Sequence, residues 1–145
     1  MAKLTDSVKK LVLACETKNN GAPTLLGAGY VDRAGWNQVT WSLFLGAVAA
    51  GAKVNLKIQE CDDAATWADI TGAALAEVPD TGDAKVYVIE VACGASDGRK
   101  RYQKPVCAVA DGAPGAALAI ECELGAFSAA VADVASADLG QRVPE

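Results

Sequence analysis

Polar and aliphatic residues alternate most cleanly over residues 53–59, where Val54, Leu56 and Ile58 are interleaved by Lys53, Asn55, Lys57 and Gln59. A period of two places the aliphatic side chains on one face of a strand and the polar ones on the other. Residues 38–45 repeat the pattern, with Val39, Trp41, Leu43 and Leu45 set among Gln38, Thr40 and Ser42. The small residues at 46–52, ending in a turn at Gly51, predict a central hairpin of two antiparallel strands, each with one wet face.

Outward from that pair the chain divides by its turn residues. Residues 3–15 begin as a short helix or arm and end as a strand, L-V-L-A-C, before a turn at Asn19-Asn20-Gly21. A weak strand at 24–31 is interrupted by Gly27 and Gly29, and 32–35 form a further turn. After Ile58 the acidic and small residues at 60–70 predict a loop from which Trp67 and Ile70 re-enter the core. A short strand at 73–78 leads to the turn at 79–83. Residues 86–93 are β-branched and apolar on both faces, which predicts a central strand. A turn at 94–98 leads into the run 99–104 and a strand at 106–110, a turn at 111–115 follows, and Leu118, Ile120, Cys122 and Leu124 mark the last clear strand. The remainder is a helix with Phe127, Val131 and Val134 on one face, an added strand, or an arm that leaves the domain for a neighbour. The arm is the expectation.

Seven or eight strands without a βαβ rhythm predict an all-β fold, a single antiparallel β-sandwich of jelly-roll type with terminal arms. The expected division is 1–23 for an N-terminal arm and first strand, 24–124 for the sandwich core and 125–145 for a C-terminal arm. The 145 residues suit one domain, able to bury roughly two-thirds of its unfolded surface. A formal charge of −5 argues against nucleic acid as the main partner. No apolar run approaches the about 18 residues that suggest a membrane span, and the acid-containing N-terminus lacks a signal core, so synthesis in a cytoplasm is expected.

Catalytic chemistry has little to work with. The absence of histidine excludes Ser-His-Asp and Cys-His catalysis. The five cysteines, at 15, 61, 93, 107 and 122, show no CxxC pairing and predict neither metal nor cofactor. Free thiols are expected, with Cys15, Cys93 and Cys122 in the core and Cys61 the most exposed. Glu121 and Glu123 share a strand face as a glycosidase pair would, but solvated carboxylates are the commoner meaning. Asp62, Asp63 and Asp69 lack calcium-loop spacing. No enzyme is expected. The run Arg99-Lys100-Arg101 with Lys104 stands out in an acidic chain, as a solvated turn or as a patch that docks on an acidic protein surface.

The succession G-A-V-A-A-G-A-K-V-N-L-K-I-Q-E-C-D-D-A-A-T-W-A-D-I resembles small tailed-bacteriophage proteins encoded beside the major capsid gene. In that family an Ala/Gly connection is followed by V-x-x-K-I-Q-E-S-D-D and then W-x-D-I. Val54, Lys57, Ile58, Gln59, Glu60, Asp62, Asp63, Trp67, Asp69 and Ile70 match, as do Gly98, Lys100, Arg101 and Tyr102 in a later G-x-K-R-Y turn. The likeness covers residues 36–124; Cys61 replaces the usual serine, and the arginine usual near Lys104 and Pro105 is missing. It implies a head-associated virion component on the capsid exterior, assembled in the host cytoplasm and bound non-covalently to the major capsid protein. A homo-oligomer is implied, a trimer or a pentamer at vertices, with no nucleic-acid or membrane partner. Expected contact residues are Lys3, Lys9, Lys10, Arg99, Lys100, Arg101, Phe127 and Arg142. The alternative is a carbohydrate-binding or host-adhesion module of a vertex spike or neck, with Trp36, Trp41 or Trp67 as the stacking platform and Trp36 the freest of them.

Overall fold

A computed structural model describes residues 8–125 and the backbone of 139–144. Its strands are β1 (Val8–Lys18), β2 (Val31–Asp32), β3 (Gln38–Val48), β4 (Lys53–Cys61), β5 (Ala68–Ala74), β6 (Val86–Ala92), β7 (Tyr102–Ala110), β8 (Ala116–Gly125) and β9 (Leu139–Pro144). One sheet has the order β1-β8-β3-β6-β9 and the other β2-β7-β4-β5. The first eight strands pair antiparallel in nested fashion, β1 with β8, β2 with β7, β3 with β6 and β4 with β5. That nesting is a hairpin rolled on itself, the jelly roll of a two-sheet sandwich. No helix among the described residues is long and apolar enough to cross a membrane.

Alternation explains the core. The inward residues of β3 (Val39, Trp41, Leu43, Leu45) meet those of β4 (Val54, Leu56, Ile58) across the sandwich, with Ile89, Val91, Ile120 and Leu124 filling the rest. The amide of Gln103 is fully buried among them: Trp41 Nε1 donates to its Oε1 at 3.3 Å, and its Nε2 donates to Cys93 Sγ at 3.4 Å.

The expected central hairpin does not form. β3 and β4 lie in opposite sheets, and 49–52 carries the chain across the sandwich edge, held by Ala49 N donating to Gly115 O and by Gly51 in the left-handed region. Alternation fixes which face of each strand is buried, and both faces here meet one core; it says nothing about which strands share a ladder. β6 is likewise not central. It lies second from the β9 edge, with Tyr87, Ile89 and Val91 buried and Val86, Val88 and Glu90 half-buried.

Several boundaries move. β7 begins at Tyr102, ahead of the expected strand at 106–110, and β5 precedes the expected strand at 73–78, leaving 62–67 as the loop. The segment 24–31 contributes only Val31 to a strand, since Gly27 and Gly29 adopt positive φ. The first strand belongs to the sandwich itself, pairing with β8 along its length. Residues 139–144 do not extend away as an arm but add to the sheet as β9, parallel to β6. Backbone pairing along an otherwise open edge accounts for that.

Candidate partner-binding surface

The basic run is tied down by hydrogen bonds within the chain, with Arg101 still exposed. Arg99 and Lys100 lie in the connection before β7, and Arg101 immediately precedes it. Alternation along β4 carries an inward position past Val54, Leu56 and Ile58 to Glu60, so a carboxylate enters the sandwich end, almost buried. Its oxygens accept from Arg99 Nη1 at 3.4 Å and from the Lys100 backbone N–H at 3.0 Å. Asp62 accepts from the Arg101 N–H at 3.0 Å. The Arg101 guanidinium grips Asp32 with two bonds, 3.0 and 2.8 Å. Those hydrogen bonds hold the Asp32 carboxyl below the usual carboxylate range and raise Arg101. From the other side Arg33 donates through Nε to the Lys100 carbonyl and through Nη2 to that of Arg99. Two of the three cations are therefore neutralised within the chain, while the Lys100 ammonium has no ion-pair partner among the described residues.

The other expected contact residues do not join this cluster into one patch. Lys9 is exposed on β1 and its charge acts on Asp32, which places it at the same end. Lys10 reaches over the outer face of the larger sheet to Glu123 at 3.1 Å and Glu121 at 3.7 Å. Hydrogen bonding to Glu123 raises Lys10. Arg142 stands opposite Val88 in the β9 register. Lys3 and Phe127 fall outside the described residues.

The remaining candidates resolve individually. Glu121 and Glu123 both face Lys10, so they form an ion cluster on a strand face. Asp63 accepts the backbone N–H of Thr66 and Ala65 and the Thr66 hydroxyl, which hold its carboxyl at about 2. Asp69 is bonded to Lys57 and Gln59. Among the described residues no group of three Cys, Asp or Glu side chains is placed to hold a metal. Cys93 and Cys122 are buried as expected, but Cys61 is fully buried and Cys15 exposed, the reverse of their expected places. A register shift between Val12 and Ala14 buries Leu13 and Ala14 in succession and turns Cys15 outward. Cys61 is covered at the end of β4, opposite Tyr102.

An aromatic group was missed. Outside the core, Tyr30 lies 5.7 Å from Trp67 and 5.3 Å from Tyr102, centroid to centroid. Lys104 Nζ stands 4.4 Å above the Trp67 ring, and Arg101 Cζ lies 5.2 Å from that of Tyr102. The available signal was alternation: with Gln103 buried, Tyr102 and Lys104 must face outward together. Trp41 is buried, Trp36 packs half-buried against the core, and Trp67 is likewise half-buried.

Glu60, Asp62 and Trp67 come from one stretch, and Lys100, Arg101 and Tyr102 from another some 40 residues on; here they form one knot. No protein-family model matches the chain, and no curated protein matches it.

Proposed function

We propose that the protein is a non-enzymatic structural component of a tailed-phage virion that decorates the head exterior through non-covalent contacts with the major capsid protein. The observation that carries this reading is the knot. The two motifs by which the sequence resembles head-associated phage proteins interlock at one end of the jelly roll, so the residues of the resemblance act as a single structural unit. A stiff sandwich with loops latched to its strands presents a fixed surface without ordering anything on binding, which is what a cement requires.

Home pairing of Arg99 and Arg101 leaves Lys100 and Lys9 among the cations at that end without an ion-pair partner among the described residues, open to an acidic capsid surface. Association as a homo-oligomer, trimeric or pentameric, would then multiply weak contacts. The test is thermal release of DNA from heads, with and without added protein. Addition is expected to raise the release temperature, and Lys9→Ala/Lys100→Ala to lose most of that protection at moderate salt, because the contact is electrostatic. An unchanged release temperature at saturating protein would exclude a cementing role.

A further inference from the structure

We infer that the outer face of the smaller sheet, where Tyr30, Trp67, Tyr102 and Lys104 meet beside the latched end, is a binding site for an acidic saccharide, a role distinct from head attachment. Three of the chain's eight aromatic residues gather there, all half-buried and none in the core. The contrast with the buried aromatics is in their polar ends. Trp41 spends its indole N–H on Gln103, and Tyr87 donates its hydroxyl to the Gly82 carbonyl at 2.7 Å. Trp67 Nε1, Tyr30 Oη and Tyr102 Oη bond to none of the described residues, leaving three polar handles beside three apolar ring faces. Sugars need that pairing: C–H-rich pyranose faces lie on rings while hydroxyls find donors and acceptors.

Lys104 sets the class of sugar. Its ammonium has a ring, not a carboxylate, as its partner among the described residues. A cation–π contact at a half-exposed site is weak enough for an incoming ligand to displace, and a sugar carboxylate would offer that ammonium a stronger bond than the ring does. Gln59, opposite Lys104 in the ladder, spends its Nε2 on Asp69 and keeps Oε1 as an acceptor for a sugar hydroxyl. The tilt of 50° between Tyr30 and Trp67 makes a corner and not a flat shelf, which suits the end or a bend of a chain better than a straight run.

The probe is an oligogalacturonate, a uronic-acid oligosaccharide, titrated into the full chain while tryptophan fluorescence is followed, with neutral maltohexaose alongside. Saturable quenching by the oligogalacturonate is expected, with maltohexaose at least about tenfold weaker, the scale of one charge-assisted hydrogen bond. Trp67→Ala should abolish the quench, and Trp36→Ala should leave the affinity unchanged. Since Trp67→Ala also loosens the 62–67 loop, Lys104→Gln is the deciding variant: affinity for the oligogalacturonate should fall about tenfold, with binding to heads retained. No saturation at millimolar oligogalacturonate, equal binding of maltohexaose, or unchanged affinity in Lys104→Gln would overturn the inference. Failure of head attachment would show in sedimentation and leave these titrations untouched.

Discussion

Burial raises the Cys107 thiol to about 12, and burial followed by the Glu121 charge pushes Cys122 up as well. A thiol held protonated and out of water is a poor nucleophile. Cys61 and Cys93 are shielded too, which leaves Cys15 as the accessible thiol of the five. Dithionitrobenzoate should therefore titrate one fast thiol per native chain and five after denaturation, and Cys15→Ser should remove the fast one. Two or more fast equivalents would contradict the register of β1 and the cover over Cys61. For Cys15 the sequence pointed to the wrong face for a physical reason. Alternation counts residues in steps of two, and one bulge at Val12/Ala14 shifts the count by one and reverses every side chain after it. Nothing in V-L-A-C distinguishes a bulged strand from a regular one. Trp41, by contrast, lies where alternation places it, because β3 is regular over that stretch.

Among the elements, the connection before β7 gains its order from β4. Glu60 and Arg99 have side chains only 12% and 20% exposed, so solvent screens their pairing little. Removing Glu60 takes from Arg99 this shielded ion pair and leaves the Lys100 N–H without its carboxylate acceptor. Glu60→Ala should lower the unfolding free energy by about 3 kcal/mol, through the lost ion pair and the orphaned Lys100 N–H. In urea denaturation Glu60→Ala/Arg99→Ala should cost clearly less than the sum of the single changes. A single-variant loss below about 0.5 kcal/mol, the range of ordinary surface substitutions, would mean that the latch does not hold the loop. Part of this was legible. Period two along β4 leads inward to position 60, but a glutamate amid acidic and small residues signals a loop, and its partner lies 39 residues away. The aromatic corner escaped for the same reason: it is assembled from 30, 67 and 102, three separate segments.

For the molecule as a whole, the β class and the sandwich were readable because eight segments carry either alternation or turn punctuation that helices would not tolerate. The wrapping was not. Assigning β3 and β4 to opposite sheets depends on how all eight strands share one core, and the 46–52 connection looks like any hairpin turn in sequence. Likewise β9 is placed by the open edge of β6, a feature that exists only after the sandwich has formed. What results is a rigid body, charged at its latched end and carrying aromatic rings on one outer face. Head decoration requires only that such a body find a repeated surface, and repetition makes the contact countable. Sedimentation of empty tailed-phage heads with increasing amounts of the purified protein measures it most directly. The pelleted protein should rise to a plateau at a fixed, symmetry-compatible number of copies per head. A pellet free of the protein at every concentration, or uptake that grows without saturating, would contradict the assignment to the head.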